Sequence, residues 1–307
     1  MPKFSVVIAC YNAADTLPET LAALRAQTEQ DWEAICVDDG SSDGTLRLLT
    51  TAAQGDARIR VITQVNAGPS RARNAGVALA RADWIAFLDA DDIWLPGKLA
   101  HIRTTIDNAP YSDGVYGQIA FYDPRADKIT THSTVKNGDT TVKELLGENP
   151  VCTLSNLCVR RDAFFEVGSF REDMRYSEDL EFLIRFVAAG KRLTGTNTLL
   201  VTYRASSDGL SANLMQMHQG WREAVRSAGA SLLPPSRARA EAIHLRYLAR
   251  RALRLNVLPF SALRLALHGF WLAPLTFLGG GHRGPLTLIS CLLAPMIPST
   301  LRRCLFA

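Results

Sequence analysis

The chain reads as an α/β protein with a mostly parallel sheet flanked by helices, followed by a helical, apolar, arginine-rich C-terminal appendage. Three observations predict this. Short β-branched runs alternate with stretches of helical periodicity from Phe4 to Trp94, the pattern of βαβ units with right-handed crossovers. Each run ends in polar residues, and parallel order gathers those ends on one rim of the sheet, where open α/β sheets bind ligands. Charge also changes sign along the chain. Trp221 to Ala307 holds twelve arginines, no lysine and two acids (Glu223, Glu241), a balance of +10 against +4 for the whole chain, so the first 220 residues carry −6.

Taken in order, Phe4 to Ala9 is a buried strand, and Tyr11 and Asn12 open the loop after it. Asp15 or Thr16 can cap the next helix, where Leu17, Leu21 and Leu24 recur at helical spacing and Pro18 occupies the tolerated first turn. Glu33 to Val37 is a second strand running into the polar glycine loop Asp38 to Thr45, and a helix begins at Leu46. Ile59 to Thr63 is a third strand. Asn66 to Ser70 then starts a helix carrying Arg71, Arg73 and Asn74.

The stretch Trp84 to Trp94 is the centre of the pattern. Ile85 to Leu88 is apolar without a break, as in a strand covered on both faces. It ends in Asp89, Asp91 and Asp92. Crowded carboxylates repel one another, and a cation between them relieves this. Hard oxygen donors favour Mg²⁺ or Mn²⁺, ions that commonly bridge carboxylates to phosphates. Taken alone, the triplet fits a solvated acidic turn equally well. Four sequence-distant loops converging on one rim favour the cation site.

Beyond it, short aromatic pieces (Val115-Tyr116, Ile119 to Tyr122) suggest an acceptor side. Val151 to Val159 reads as a strand, Asp162 to Val167 and the stretch from Ser177 as helices, and Leu199 to Tyr203 as a last short strand before Arg204. The 47% apolar content supplies a core. Six cysteines without a CxxC pair read as buried thiols, and the short run at Phe4 to Cys10 is too brief for a signal peptide, so we expect a cytoplasmic protein.

Five motifs stand in order over roughly the first 210 residues: Ser5–Asn12 (SVVIACYN), Val37–Thr45 (VDDGSSDGT), Asn66–Gly76 (NAGPSRARNAG), Phe87–Trp94 (FLDADDIW) and Ser177–Arg185 (SEDLEFLIR). Together they resemble the inverting nucleotide-sugar glycosyltransferases of family 2, with their GT-A fold. The resemblance implies that Tyr11 stacks on the nucleotide base, with Asn12 beside it, and that Asp38 accepts a hydrogen bond from a uracil ring nitrogen, so the donor is expected to be UDP-linked. Asp39 and Asp43 would fix the Gly40–Gly44 loop, since Asp in glycine turns bonds local backbone. Arg71, in a first helical turn, would face the diphosphate, with Arg73 exposed and Asn74 holding a loop. Asp89 would lie near ribose and sugar, Asp91 on the metal, and Asp92 behind them. Asp179 matches the general base that takes the acceptor hydroxyl's proton, while Glu178, about 100° away on the helix, caps or pairs with a cation. Arg204 would close over the diphosphate. Family members often place a histidine two residues later, where this chain has Ser206.

The expected domains are 1–215, catalytic, and 216–307, helical. In the second, Arg239, Arg246, Arg250 and Arg254 run along one helical side and Leu245, Leu248, Ala252 and Leu255 along another, a basic amphipathic helix. Two apolar runs follow, Val257 to Leu278 and Pro285 to Leu301, neither a convincing span because a crossing helix needs ~20 apolar residues. We expect peripheral contact with the anionic cytoplasmic face of a membrane; the alternative is a buried helical cap or a dimer contact. No aromatic-basic nucleic-acid module is present. The predicted activity is therefore hexosyl transfer to a hydroxyl of a glycan or lipid-linked acceptor, against a rival reading as a non-catalytic nucleotide-sugar-binding scaffold. The sequence does not specify the oligomeric state.

Overall fold

The computed structural model describes residues 1–124, 126–204, 213–227, 234–255, 259–298 and 301–302. It divides into two compact units, residues 1–140 with 150–205 and residues 141–149 with 206–307. The Ser206–Ser211 loop singled out in the sequence lies outside the described residues.

In the first unit, β1 (Phe4–Cys10), β2 (Trp32–Asp38), β3 (Ile59–Thr63) and β4 (Trp84–Phe87) pair in parallel in the order β3-β2-β1-β4. They are connected by α1 (Leu17–Arg25), α2 (Thr45–Gly55) and α3 (Pro69–Ala78). β2 and β4 are buried throughout, as their continuous apolar runs require when both faces are covered. Two polar exceptions, Ser5 and Glu33, are satisfied inside: Ser5 donates to Glu33 at 2.7 Å, and Arg81 donates to the same carboxylate at 2.8 Å.

The sheet then turns mixed. β9 (Cys158–Arg160) lies antiparallel to both β4 and β6 (Gly114–Asp123). β10 (Leu193–Arg204) runs parallel to β6, and β5 (Ile93–Trp94) pairs antiparallel on its far side. Two short strands, β7 (Lys128–His132) and β8 (Gly138–Asp139), attach to β6 and β10. Helices α4 (Lys98–Asn108), α6 (Arg161–Glu166) and α7 (Glu178–Ala188) complete the unit.

Four expectations change here. The strand expected over Val151–Val159 is a 3-10 turn at Leu154–Asn156 followed by only three strand residues. Polar side chains cause the break. Thr153 caps the turn by accepting from Ser155 N, and Asn156 bonds both the N–H and the C=O of Gly117. The two aromatic pieces are one ten-residue strand, β6, and the last strand begins at Leu193 rather than Leu199. Thr16 sits at the N-cap of α1 without capping it; its hydroxyl reaches Ala90 O instead, at 2.9 Å.

α3 lies so close to the sheet that a Cβ on Gly76 would meet Val7 Cγ1 at 2.5 Å and Val37 Cγ2 at 3.3 Å. Both neighbours are β-branched residues of central strands with no room to retreat. Gly76→Ala should lower stability by about 1–3 kcal/mol, the usual cost of overpacking, read as a lower denaturation midpoint at unchanged m-value.

The second unit is helical: α5 (Val142–Gly147), α8 (Leu214–Ser227), α9 (Pro234–Arg254), α10 (Pro259–Leu272), α11 (Pro274–Leu278) and α12 (Arg283–Leu293). Residues 141–149 join it because Trp221 donates its indole N–H to Leu146 O at 3.0 Å and Glu148 pairs with Arg250 at 2.7 Å. The core gathers Leu248, Ala249, Ala252, Ala266, Phe277 and Cys291. Its small residues let helices approach closely: a Cβ on Gly269 would meet Phe277 at 2.8 Å and Leu245 at 3.0 Å.

α9 departs from the expected basic amphipathic face. Leu245, Leu248 and Ala252 are wholly buried, as the periodicity predicts, but so is Arg246 (7% exposed). Its guanidinium donates to Phe277 O and Gly279 O and lies 3.5 Å from Glu148. A guanidinium offers five donors, and here Nη1 serves the carbonyls at the end of α11, while Nε is buried without a hydrogen-bond partner. Arg246 is a structural cross-brace of the unit. Among the described residues, no helix is long and apolar enough to cross a membrane.

Candidate functional site

The carboxyl ends of β1, β2, β3 and β4 bring their loops to one rim. Register fixes the neighbours: Cys10 is paired with Asp38, and Asp38 with Thr63. Tyr11, next along from Cys10, is 54% exposed, an aromatic face open at the rim. Asn12 adopts a left-handed backbone (φ 48°). Its side-chain oxygen accepts from Ser42 N at 2.9 Å, and its own N–H donates to Ser41 Oγ. It ties the first loop to the second rather than projecting freely.

The two acids of the second loop diverge. Asp39 is a clamp: one oxygen accepts from Gln64 Nε2 and Ala67 N, the other from Gly68 N, all at 2.7–2.9 Å. It fixes the 64–68 loop that leads into α3, rather than the Gly40–Gly44 loop expected from sequence. That second loop is held by Asp43, which accepts from Ala14 N and Thr45 N. Asp38 uses one oxygen to accept from Ser41 N, while Oδ1 is buried with no hydrogen-bond partner. A buried acceptor left unpaired costs about 1–3 kcal/mol, so Asp38 Oδ1 is an unsatisfied acceptor beside the rim.

The arginines of α3 exchange the expected roles. Arg71 is exposed, and no carboxylate pairs with it among the described residues. Arg73, expected at the surface, is 11% exposed and bridges two acids: 2.7 Å to Asp89 and 3.1 Å to Glu178. The helix explains this. Ala72 and Gly76 pack down onto the sheet, so Arg73 leaves the flank of α3 facing the end of β4 and the start of α7. Asn74 holds the Phe170 backbone through both its N–H and C=O, as predicted.

The acidic cluster is built from below. Asp89 N donates to Ser155 Oγ at 2.9 Å. The Ser155 carbonyl in turn accepts from Trp94 Nε1 at 2.7 Å and from Lys98 Nζ at 2.6 Å. Lys98 is fully buried, and burial lowers its pKa to about 7. Thr153 Oγ1 lies 3.0 Å from Asp89 and 3.1 Å from Asp92. Asp92, with no exposed surface, also accepts from Arg204 N at 3.1 Å. It supports the cluster from behind, and burial together with the charges of Asp91 and Asp89 pushes its pKa well up. Asp91 is partly buried, and burial and then the Asp89 charge push its carboxyl up to about 6. Arg204 does not extend freely over the rim; its guanidinium bonds Asp91 O at 3.1 Å and pairs with Glu19.

Glu178 and Asp179 open α7 after Ser177, which takes a left-handed conformation (φ 59°). Glu178 turns toward Arg73, while burial and the neighbouring Asp179 charge raise its pKa to about 7. Burial also raises the Asp179 carboxyl, and both Arg73 and Asp89 are near enough to act on it electrostatically. The structure thus brings Asp38, Asp89, Asp91, Asp179 and Arg204 to the same end of the sheet. Sequence reasoning missed Arg73, Thr153 and Lys98. The signal for Arg73 was present in the spacing: two residues after Arg71 on a helix cannot share its face.

Removing Arg73 strands two carboxylates in a poorly solvated place. Arg73→Met should cost about 3 kcal/mol at neutral pH, the low end for breaking a buried pair. Glu178 titrates high, so the loss should shrink as pH falls below about 7 and the acid takes up its proton. Melting curves at acid and alkaline pH check this; a pH-independent loss would mean that the methionine packs badly rather than that the charges are stranded.

Residues 5–168 match the family described as Glycosyl transferase family 2. The succinoglycan biosynthesis protein ExoO of Rhizobium meliloti (strain 1021) is 41% identical over 110 residues, which cover 36% of this chain and 31% of that protein. The chain spans less than two thirds of the length of the first curated relatives it matches. S. aureus TarS 1-349, solved with UDP-GlcNAc, superposes with a TM-score of 0.62 at 17% identity, covering 95% of this chain and 92% of that one. The mannosyltransferase PcManGT from Pyrobaculum calidifontis, solved with GDP-Man and Mn²⁺, gives 0.60 at 18%, covering 99% and 87%. At such identities the likeness is one of fold. With the family profile covering more than half of the residues and the GT-A architecture in place, this chain belongs to glycosyl transferase family 2.

Proposed function

We propose that the first unit transfers a sugar from a nucleotide donor, UDP-linked, to a hydroxyl of a glycan or lipid-linked acceptor, with inversion at the anomeric carbon. The observation that carries this reading is the joining of the donor rim to α7 by one buried arginine: Arg73 touches Asp89 on one side and Glu178, the neighbour of Asp179, on the other. A scaffold that only held a nucleotide would have no use for a carboxylate at Asp179 within electrostatic reach of Asp89. The name of the relative in succinoglycan biosynthesis favours a cell-surface polysaccharide or glycolipid product.

The donor set fits a divalent cation. Asp91 offers hard oxygens whose charge is crowded by that of Asp89, and Mg²⁺ or Mn²⁺ suits such ligands. Among the described residues, no three acid, histidine or cysteine side chains gather as a closed metal cage, so Asp91 would hold the ion jointly with the donor diphosphate. When bound, the ion offsets charge developing on the leaving diphosphate. The chain's own residues do the rest. Tyr11 stacks on the base, and the unpaired Asp38 Oδ1 takes the uracil N–H. Asp89 orients ribose and sugar while Arg73 holds it in place. Arg71 faces the phosphates, and Arg204 joins it on releasing Glu19. Asp179 removes the proton of the acceptor hydroxyl as its oxygen bonds to C1 and the C1–O bond to the diphosphate breaks on the opposite side.

Calorimetric titration with UDP-, GDP- and dTDP-sugars, with Mn²⁺ or with chelator, tests the donor half. UDP-sugars should bind at least ~10-fold more tightly than GDP-sugars, because the pyrimidine N3–H is the donor offered to Asp38 and a purine places its N1–H elsewhere. The dTDP-sugars carry the same N3–H and test the ribose contact instead, and chelator should weaken binding of UDP-sugars. Equal binding of all three nucleotides, or full activity in chelator, would remove the uracil or the metal assignment respectively.

A further inference from the structure

The sequence points to α9 as the helix that meets a membrane, but the structure uses its leucines in the core and Arg246 as an internal brace. The helices after it carry a different feature. α10 turns Ala262, Ala266 and Gly269 inward, and α12 turns Gly284, Thr287 and Cys291 inward. Opposite these narrow faces, α10 exposes Phe260, Leu267 and Trp271 at positions i, i+7 and i+11, with Arg264 at i+4 in the same stripe. α12 exposes Leu286, Ile289 and Leu293 at i, i+3 and i+7. α11 adds Leu275, 89% exposed, and the following turn Met296, 80% exposed. Both α10 and α12 pack against α9 and against each other, so their exposed stripes lie on the side away from α9.

Scattered surface leucines need no explanation, whereas a run of large apolar side chains on adjacent helices marks a binding surface. Charge says for what. Residues 242–307 contain eight arginines and not one Asp or Glu, and Arg264, His268 and His282 stand exposed among the apolar residues. A protein partner or a second copy would be expected to find some acid to pair with. A surface of anionic phosphates needs none, and a Trp at 80% exposure beside leucines suits the boundary between headgroup and acyl chain.

We propose that α10–α12 form the face by which the second unit rests on an anionic bilayer, with Trp271, Leu275, Leu286, Ile289 and Met296 entering the acyl boundary and Arg264 meeting phosphates. This deepens the reading above by naming the second unit's partner; its test reads lipid binding and does not depend on sugar transfer.

The test is flotation of the full-length chain with phosphatidylcholine vesicles and with vesicles of equal phosphatidylcholine and phosphatidylglycerol. The protein should float with the anionic vesicles, and high salt should release only part of it, because apolar burial is not screened. Trp271→Glu combined with Leu275→Glu should lower the bound fraction by ~10-fold or more, while UDP-sugar binding and circular dichroism stay unchanged, since both side chains are at the surface. Trp271→Phe should retain most of the binding. The proposal is overturned if wild-type protein stays unbound to both vesicles, or if the double variant floats as well as wild type. It is also overturned if light scattering shows a lipid-free dimer that the double variant disperses, which would make the face a contact between copies. Normal flotation with no transfer to any acceptor would count against the transferase reading and leave this one standing.

Discussion

Asp179→Asn should leave UDP-sugar affinity within about 2-fold of wild type while transfer falls by roughly 10²–10⁴, the usual contribution of a positioned general base. The substitution keeps shape and removes basicity. Its surroundings supply a second readout. Burial raises the Asp179 carboxyl, opposed by its backbone hydrogen bonds and by Arg73, so the base should lose its proton above the ordinary carboxylate range. The sign follows directly: transfer requires the deprotonated form, so the acid limb of log kcat/KM should rise with pH to a break above that range. In Asp179→Asn the limb should disappear along with the rate. A variant that transfers at near wild-type rate, or one that keeps the acid limb, would remove Asp179 from the role and leave Glu178 as the acid to examine. Glu178→Gln separates the two, because it should chiefly loosen Arg73 and weaken donor positioning without abolishing proton transfer.

How much of this was legible in the sequence depends on what each feature rests upon. The four parallel strands could be read because continuous apolar runs and the polar residues that end them are local signals, and β1 to β4 fall within a residue or two of where the runs lie. The antiparallel β9 was misread because its apolar run is interrupted from a distance. Thr153 and Asn156 are drawn out of strand geometry by Asp89 and Gly117, residues far away in sequence. The acids of the site were visible from type and spacing. Their division of labour was not, since Asp38 and Asp39 are adjacent and only the partners Gln64, Ala67 and Gly68 show which is the clamp. Arg73 and Arg246 were misjudged for one shared reason: a charged residue is assumed exposed until a buried acid or a row of carbonyls is found to receive it.

Asp91→Ala should produce the largest functional loss and, at the same time, a more stable apo protein. Turnover with Mn²⁺ and UDP-sugar should fall by ~10³-fold or more, since the ion's stabilisation of leaving-group charge is worth several kcal/mol. Donor affinity should fall to the level that wild type shows in chelator, and chelator should have no further effect on the variant. The stability change follows from the same electrostatics. Asp91 has its carboxyl raised from 3.8 to about 6 by burial and by Asp89, so without a cation the folded state resists its ionisation. A group whose folded pKa lies above its unfolded one destabilises the fold as pH rises through that window. The alanine variant should therefore match wild type below about pH 4 and gain on it between pH 4 and 6. Above pH 6 its lead should level off at on the order of 3 kcal/mol. Mn²⁺ with UDP should then raise the melting temperature of wild type more than UDP alone does, with no such gain from Mn²⁺ in the variant, because only wild type keeps the carboxylate to which the ion and diphosphate bind together. If alanine at this position lowers stability at alkaline pH, the carboxylate is held by the fold rather than strained within it, and the assignment of Asp91 to the cation loses its physical basis.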